Sequence, residues 1–303
     1  MDQVRGLICI LGPTASGKTA LAVALAKEIN GAIISADSRQ VFRGMDIGTG
    51  KDLVEYKGVD YYLINIRNAG DSYHVAHFQD DFQEAWFNIQ AQGKTPILCG
   101  GTGLYIQSVL QQYAFTSIPR NDNLRMNLLE KDIEELEKFF LSLPQPIGFK
   151  ADISTKKRLI RAIEIASWLK VNPYEPINRH QHLDARVFGI QLPLDDRRAK
   201  ITQRLEQRLA AGLIEEVQGL IEAGVPADKL KFYGLEYKYV TAFLLGEIER
   251  NQLFTKLNTE IHRFAKRQMT YFRKMEKDGI TIHWLDGRNA IAENVEKIKG
   301  CLP

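Results

Sequence analysis

The octapeptide GPTASGKT, residues 12–19, constrains the fold of this chain more than any other feature. It follows a short apolar run, GLICIL, and opens a stretch with helical character, GKTALAVALAKEI. A strand, a glycine-rich turn and a helix in this order form a phosphate cradle, because backbone N–H groups point inward and the helix N-terminus carries partial positive charge. A merely tight turn does not require Lys followed by Thr at this spacing. The motif therefore predicts a di- or triphosphate ligand.

Each part of the octapeptide has a predicted role. Lys18 is expected to reach the outer phosphates, and the Thr19 hydroxyl suits Mg²⁺, the cofactor that the motif implies. The residues predicted to bind the diphosphate are Gly12, Pro13, Thr14, Ala15, Ser16, Gly17, Lys18 and Thr19.

Strand and helix patterns alternate over the first hundred residues. The apolar runs GAIISAD and TPILCGG follow GLICIL, with helical patterns between them. This rhythm predicts an α/β fold, a P-loop NTPase-like parallel sheet covered by helices on both faces. Ligands in such sheets bind beyond the carboxyl ends of the strands, so Gly12, Asp37 and Gly100 are expected to converge on one crevice.

The pattern changes near Phe115, where FTSIPRNDNLR begins a mostly helical region. The run RVFGIQLPL then restores a strand, and ITIHWLDG is expected to be a last edge strand. We predict a core formed by residues 1–114 and 184–303, with a small helical domain inserted at 115–183. Further helical segments are expected around 195–223, 234–250 and 255–277.

The strand TPILCGG ends in two glycines where hydrolases commonly carry a Walker B aspartate. We expect these glycines to leave space beside the phosphates for a second substrate. The carboxylate available at the crevice is Asp37, which can cap the turn after its strand or act on a ligand. Its neighbours Ser38, Arg39 and Gln40 supply donors and acceptors that suit a base or a sugar, which favours the second interpretation.

The net charge of +3 decides little, but the distribution of charge is informative. KKRLIR at 156–161 carries four cations, and HRFAKRQMTYFRKMEK at 262–277 carries six against one Glu. Basic segments with interleaved aromatic residues suit a polyanion with stackable bases, although a solvated helix face is the alternative. Arg197, Arg204 and Arg208 share one helical face, which either neutralises a departing diphosphate or is a solvated stripe; both remain open.

Other classes of protein are disfavoured. No apolar run of 18 residues exists, so no transmembrane helix is expected, and the apolar N-terminal run suits a buried strand better than a signal peptide. Cys9, Cys99 and Cys301 lack metal-ligand spacing, and two of them lie in apolar runs. We therefore expect reduced thiols and a cytoplasmic protein. Without an obvious apolar seam, a monomer is expected.

Together these motifs resemble the tRNA dimethylallyltransferase (tRNA isopentenyltransferase) family of the bacterial type. The matching segments follow the family's order and cover most of residues 8–273. They are GPTASGKTALA, IISADSRQVFRGMDIGTGK, GKTPILCGGTGLYI, KKRLIRAIEI, RLEQRL with GLIEEV, and FAKRQMTYFR.

The resemblance implies transfer of a dimethylallyl group from dimethylallyl diphosphate to N6 of the adenine 3′ of the anticodon, within the tRNA anticodon stem-loop. It implies that Asp37 accepts a hydrogen bond or proton from the amine, and that Lys18 and Thr19, with Mg²⁺, hold the leaving group together with Arg208. Thr102 would lie beside the flipped nucleotide, and the inserted domain would bind tRNA. The implied tRNA-binding residues are Asp37, Ser38, Arg39, Gln40, Thr102, Arg125, Lys157, Arg158, Leu159, Ile160, Arg161, Arg263, Lys266, Arg267 and Gln268.

Some segments depart from the family's pattern. GTGKDLVEYKGVDYYLINI stands where members commonly carry GTAKP, YGLEYKYV replaces the usual GYKE region, and the turn between RLEQRL and GLIEEV is shortened. Three alternatives stay open: an adenylate isopentenyltransferase, a P-loop small-molecule kinase, and a catalytically idle RNA-binding relative. The basic segments argue against the first, and the intact Lys18, Thr19, Asp37 and Thr102 argue against the third. A kinase would release ADP from ATP, whereas the transferase would release diphosphate.

Overall fold

The sheet is parallel and has six strands. The computed structural model describes residues 6–144, 149, 151–172 and 183–302. The strands are β1 (Leu7–Leu11), β2 (Gly31–Ser35), β3 (Tyr61–Tyr62), β4 (Thr95–Gly100), β5 (Ala185–Gln191) and β6 (Ile282–Asp286). Their order across the sheet is β3-β2-β4-β1-β5-β6. This confirms the predicted α/β class, with β6 at an edge; β3 is only two residues long and has no pattern in the sequence.

Helices cover both faces of this sheet. The helices outside residues 112–181 are α1 (Lys18–Glu28), α2 (Val75–Ala91), α3 (Gly103–Leu110), α7 (Leu194–Ala210), α8 (Leu213–Glu222), α9 (Ala227–Phe232), α10 (Leu235–Leu244), α11 (Arg250–Lys277) and α12 (Ile291–Lys299). Side chains alternate along a strand, so β1 sends Leu7, Cys9 and Leu11 to one face and Ile8 and Ile10 to the other. The first face packs against α2, α3 and α11, and the second against α1 and α12.

The helical region after β5 is divided more finely than the sequence predicted. The expected segment 195–223 is two helices, because Gly212 between α7 and α8 has φ of 100°, a left-handed conformation that interrupts the helix. Helix α11 begins at residue 250 rather than 255, and α9 and α12 were not predicted. Helices α8 to α10 pack with Val41, Phe42 and Met45 into a core of their own.

Two compact units are formed, one from residues 1–111 and 182–303 and the other from residues 112–181. The second unit contains α4 (Asp122–Leu129), α5 (Ile133–Ser142) and α6 (Lys156–Val171). Asn121, Asp132 and Thr155 cap the three helices with side-chain oxygens that accept backbone N–H groups. Residues 145–148, 150 and 173–182 of the predicted inserted domain lie outside the described residues. Among the helices that the structure describes, none combines the length and apolar character needed to cross a membrane.

Candidate active site

The GPTASGKT motif forms the turn between β1 and α1. Lys18 is the first residue of α1, and Gly17 before it has φ of 83°, which favours glycine. A Cβ at Gly12 would lie 2.6 Å from the Ser16 Oγ, so this position also requires glycine. The Ser16 hydroxyl is buried and has no hydrogen-bond partner among the residues that the structure describes. The motif therefore has the strand-turn-helix geometry of a phosphate site and keeps a buried polar group unpaired.

A cavity with about 710 Å³ of empty space, including its open mouth, lies beside this turn. Its polar and aromatic lining comes from several segments: Thr14, Lys18 and Thr19; Asp37, Arg39 and Gln40; Gly48, Thr49, Gly50 and Tyr56; Cys99 and Gly100; Arg204 and Arg208; Glu236; and Phe264 and Gln268. The segments after β1 and β2 and the carboxyl end of β4 thus meet at one cavity, as the topology of a parallel sheet predicts.

Positive charge dominates the lining. Four cationic side chains, Lys18, Arg39, Arg204 and Arg208, face two carboxylates, Asp37 and Glu236. Burial lowers the pKa of Lys18, and the positive charges of Arg204 and Arg208 act in the same direction. Burial followed by the charge of Arg204 likewise lowers the pKa of Arg208. A polyanionic ligand relieves both effects because it supplies the missing counter-charge.

Helix α7 presents only part of its arginine stripe to the cavity. Arg208 donates hydrogen bonds to the Gly48 carbonyl (3.2 Å) and to Glu236 (3.0 Å). Arg204 donates to Asp52 at 2.8 Å. Arg197 is not part of the lining; burial and then the charges of two other arginines, Arg198 and Arg273, lower its pKa. The sequence left open whether the three arginines face a diphosphate or only solvent. Arg204 and Arg208 line the cavity, whereas Arg197 does not.

The loop opposite the P-loop makes close contact with these arginines. Gly50 has φ of 60°, and a Cβ there would lie 1.8 Å from the Arg208 Nη2 and 2.3 Å from the Arg204 Nη2. Gln40 is buried and supports the same loop, since its Nε2 donates to the Gly50 carbonyl at 3.2 Å. The Gln40 Oε1 accepts from Ser35 at 2.8 Å. Both ends of the Gln40 amide are thus used within the protein.

Asp37 lies at the cavity two residues beyond β2. Its Oδ1 accepts the Arg39 N–H at 3.0 Å, so the carboxylate caps its turn while it lines the cavity. Thr102 holds the same segment, because its Oγ1 accepts the Ser38 N–H and its own N–H donates to Ala36, both at 3.1 Å. The two interpretations of Asp37 are therefore compatible with each other.

Gly100 ends β4 and Gly101 follows it, and both allow other elements to approach closely. A Cβ at Gly100 would lie 2.2 Å from the Ala36 carbonyl oxygen, and a Cβ at Gly101 would lie 2.5 Å from the Gln268 Nε2. Their missing side chains therefore admit the backbone after β2 and a side chain of α11. Gly100 also lines the cavity, and the expectation that the glycines leave space for a second substrate stays a prediction.

Helix α11 carries the four residues predicted to grip tRNA, but they face two directions. Arg263, Lys266 and Arg267 are exposed. Gln268 is buried, its Oε1 accepts the Thr14 N–H and its Nε2 donates to the Gly101 carbonyl, both at 2.9 Å. Its amide is therefore occupied by the P-loop and the end of β4.

In the unit formed by residues 112–181, the predicted tRNA-binding segment also divides. Leu159 and Ile160 are buried in its core, so their side chains are not on the surface, whereas Lys157 and Arg158 are exposed. Arg161 donates to the Ile118 carbonyl at 2.6 Å. Arg125 forms a two-point ion pair with the buried Glu164 through its Nε (2.9 Å) and Nη2 (2.6 Å).

Tyr56, Glu236 and Phe264 are among the lining residues that were not predicted from the sequence. Tyr56 forms a hydrogen bond with Thr19, and burial raises the pKa of Tyr56. Glu236 holds Arg208, and Phe264 lies under the Arg39 guanidinium, 5.0 Å from the ring centre. Phe264 belongs to the quoted motif FAKRQMTYFR and could have been found there. Tyr56 and Glu236 lie in segments that depart from the family's pattern, where no motif pointed to them.

Known proteins that are similar to this chain over most of its length belong to one family. Residues 40–275 match the family model described as IPP transferase. The chain is 49% identical over 296 residues to tRNA dimethylallyltransferase 1 of Porphyromonas gingivalis, covering 96% of this chain and 97% of that protein. It is 48% identical over 297 residues to tRNA dimethylallyltransferase 2 of Bacteroides fragilis, covering 97% and 96%.

Solved structures with the same fold include the full-length tRNA isopentenylpyrophosphate transferase of Bacillus halodurans. It is 31% identical with a TM-score of 0.72, and the match covers 98% of this chain and 95% of that one. A eukaryotic dimethylallyltransferase acting on tRNA has a TM-score of 0.75 at 20% identity, covering 98% and 80%, and supports the fold alone.

Proposed function

This chain belongs to the IPP transferase family, and we propose that it transfers a dimethylallyl group from dimethylallyl diphosphate to N6 of the adenine 3′ of the anticodon in tRNA. The observation that carries the proposal is that Lys18 and Thr19 of the P-loop line the same cavity as Asp37. A phosphate cradle and a carboxylate in one concave site suit a reaction in which a diphosphate leaves as an amine attacks.

The chemistry requires stabilisation of opposite charges. The C1–O bond of the donor breaks and its electron pair leaves with the diphosphate, while the adenine N6 forms the new bond to C1. Lys18, Arg204, Arg208 and the N-terminus of α1 stabilise the negative charge on the leaving group. Arg208 makes its two contacts through one terminal nitrogen, so the rest of its five N–H donors can face the leaving group.

Asp37 acts on the acceptor. A neutral exocyclic amine is a weak nucleophile and must lose one proton when the new bond forms. The Asp37 carboxylate accepts this hydrogen bond and then the proton, an assistance worth roughly 10²- to 10⁴-fold in rate. Thr102 and the Arg39 N–H keep the carboxylate in place at the cavity.

The residues of the P-loop fit a Mg²⁺ ion. The Thr19 hydroxyl lies in the first turn of α1, and the buried Ser16 hydroxyl has no partner within the described part of the chain. The described residues contain no group of three or more His, Cys, Asp or Glu that could hold a metal. Mg²⁺ keeps several waters and binds substrate phosphates, and the Ser or Thr hydroxyl that follows the P-loop lysine is a usual protein ligand, so this modest donor set suits it. Bound Mg²⁺ supplies charge neutralisation of the diphosphate.

Exposed cations supply the proposed tRNA contacts. On α11 these are Arg263, Lys266 and Arg267, and on α6 they are Lys157 and Arg158. Their contacts with phosphates give salt-dependent affinity, which offsets the few kcal/mol needed to extrude the target adenine from its stack. Leu159, Ile160, Gln40 and Gln268 support this surface or the cavity from within, since they are buried. We place the reaction in the cytoplasm, where tRNA is the available acceptor.

The proposal is tested by incubation of the protein with bulk tRNA and labelled dimethylallyl diphosphate, followed by digestion and nucleoside analysis. Label in N6-modified adenosine supports it, and a Mg²⁺ titration tests the cofactor. Parallel reactions contain free AMP as acceptor or unlabelled ATP as donor. Transfer to AMP alone would indicate an adenylate isopentenyltransferase, and ADP release would indicate a kinase. If no reaction turned over while tRNA still bound, the protein would be an idle RNA-binding relative.

A further inference from the structure

Gln268 connects three elements at the edge of the donor site. Its Oε1 accepts the backbone N–H of Thr14 in the P-loop, and its Nε2 donates to the carbonyl of Gly101 just beyond β4. The side chain is 8% exposed, and both bonds are 2.9 Å long. The P-loop and the Gly101 carbonyl are thus tied to one buried amide of α11.

The packing around this amide leaves it little freedom. A Cβ at Gly101 would lie 2.5 Å from the Gln268 Nε2 and 3.4 Å from the Gly12 carbonyl oxygen. The glycine therefore allows β4, the P-loop and α11 to meet. Because an amide has distinct donor and acceptor ends, only one orientation of Gln268 satisfies both the N–H of Thr14 and the carbonyl of Gly101.

The position of Thr14 affects the phosphate cradle. A P-loop binds phosphate through backbone groups, and their directions depend on the shape of the whole turn. The Thr14 N–H is committed to Gln268, so the turn is fixed from outside at its second residue after Gly12. Lys18 and Thr19, the first two residues of α1, come four and five residues after Thr14, so they lie directly after this fixed turn.

We propose that Gln268 is a positioning residue for the diphosphate: it holds the P-loop in its phosphate-binding shape and does not contact the tRNA backbone. This rests on the proposed function in so far as the ligand is a diphosphate. Its neighbours Lys266 and Arg267 are exposed on α11, while Ile261 and Phe264 line the cavity, so one helix supports both the donor site and the proposed RNA surface.

Gln107 offers a matched control. It is also a buried glutamine, 1% exposed, and it too ties α11 to another element. Its Oε1 accepts from the Tyr271 hydroxyl and its Nε2 donates to Asp278, both at 2.7 Å. Gln107 does not line the cavity. Loss of its side chain therefore removes a comparable network without touching the P-loop.

The experiment compares Gln268→Ala, Gln268→Glu and Gln107→Ala by calorimetric binding of inorganic pyrophosphate and of tRNA, with KM for dimethylallyl diphosphate. We expect Gln268→Ala to weaken pyrophosphate binding by about tenfold, or about 1.4 kcal/mol, and to raise KM similarly, with tRNA affinity within about twofold of the wild type. Gln268→Glu keeps the side-chain volume and an acceptor for Thr14, but loses the donor to Gly101 and adds negative charge, so its loss should be at least as large.

Several outcomes would overturn the inference. Unchanged pyrophosphate affinity in both Gln268 variants would do so, as would a loss confined to tRNA affinity. An equal loss of pyrophosphate binding in Gln107→Ala would show a general effect of weakened packing. A wild-type protein that bound neither pyrophosphate nor dimethylallyl diphosphate would instead contradict the proposed donor site.

Discussion

The two walls of the cavity are constructed in different ways. The P-loop wall, residues 12–19, obtains its shape largely from its own sequence, through Gly12, Gly17 and the start of α1. The opposite wall, residues 46–52, has no helix or strand of its own. Gly50 and Asp52 have positive φ, and Asp52 is the N-cap of a short 3₁₀-helix, Leu53–Tyr56. This wall is held in place by side chains from α7, α8 and α10.

A single carboxylate organises much of the opposite wall. The Glu216 Oε2 accepts the N–H groups of Asp46 (2.7 Å) and Ile47 (2.6 Å). Its Oε1 accepts the Gly48 N–H at 3.0 Å and the Tyr237 hydroxyl at 2.7 Å. Backbone donors that have no helix or sheet partner are satisfied by this side chain, so the loop keeps one conformation without regular structure.

Lys51 anchors the same wall from within. It is fully buried, and its ammonium group donates to the Phe42 carbonyl and Asp46 at 2.6 Å and to Asn65 at 2.5 Å. Burial lowers the pKa of Lys51, and the hydrogen bond with Asp46 opposes that shift. Two lysines thus serve the cavity in opposite ways: Lys18 faces the ligand space, whereas Lys51 has its three donors used inside the protein.

The comparison predicts that changes at the ligand-facing groups reduce the reaction rate far more than they reduce stability. The largest effect is expected for Asp37→Ala, which removes the proton acceptor and should lower kcat by about 10²- to 10⁴-fold. The measurement is single-turnover transfer to tRNA, with tRNA affinity and melting temperature recorded alongside. The exposed Asp60→Ala is the control. Normal turnover in the Asp37 variant would remove this residue from the mechanism.

Lys18→Ala should have the second-largest effect on the reaction rate. Loss of one preorganised charge on the leaving group is expected to reduce kcat/KM by about 10²- to 10³-fold. Pyrophosphate affinity measured by calorimetry should fall as well, and chemical denaturation should give a free energy of unfolding close to that of the wild type. A variant with normal pyrophosphate affinity would mean that the P-loop wall does not hold the leaving group.

Lys51→Met is expected to reduce stability, in contrast to the ligand-facing variants, which mainly reduce the reaction rate. The substitution leaves three acceptors without their ammonium partner, two of them side chains and one the Phe42 carbonyl. We expect a loss of about 3 kcal/mol in the free energy of unfolding, measured by urea denaturation. The exposed Lys57→Met serves as the control. If stability were unchanged and only turnover fell, the distinction between the two walls would be wrong.

The smallest effect concerns the surface outside both walls. Replacement of Arg263 and Arg267 together by Ala should weaken tRNA binding by about tenfold and reduce the slope of log affinity against log salt by about one to two. Pyrophosphate affinity should be unchanged, since both side chains are exposed. The check is a salt titration of tRNA binding beside calorimetry with pyrophosphate. A shift in pyrophosphate affinity alone would place these cations at the donor site.

The sequence predicted the P-loop wall because its information is contiguous. The strand, glycines, Lys18 and helix lie within a short segment, and the strand-end rule then placed Asp37 at the same edge of the sheet. The opposite wall was not predictable in this way. Glu216 lies 168 to 170 residues from the N–H groups that it accepts, and no local pattern marks a glutamate with that task.

Gln268 is an intermediate case. The family resemblance places it with Lys266 and Arg267 among the tRNA-binding residues. The apolar stripe of α11, however, passes through Ile261, Ala265, Met269 and Phe272. Position 268 lies seven residues after Ile261 and so falls on the buried side of a helix with 3.6 residues per turn. Helical periodicity contained this signal, and the surrounding charge obscured it.

Position 50 brings two distant segments of the chain into close contact. Where the family pattern described above reads GTAKP, this chain reads GTGKD, with Gly50 in place of the alanine. The missing methyl group is what admits the guanidinium groups of Arg204 and Arg208 against the loop backbone. A return to alanine would displace both arginines, although Arg204 lies 154 positions away in the chain. A side chain at position 50 and the observed placement of these two guanidinium groups are therefore sterically incompatible.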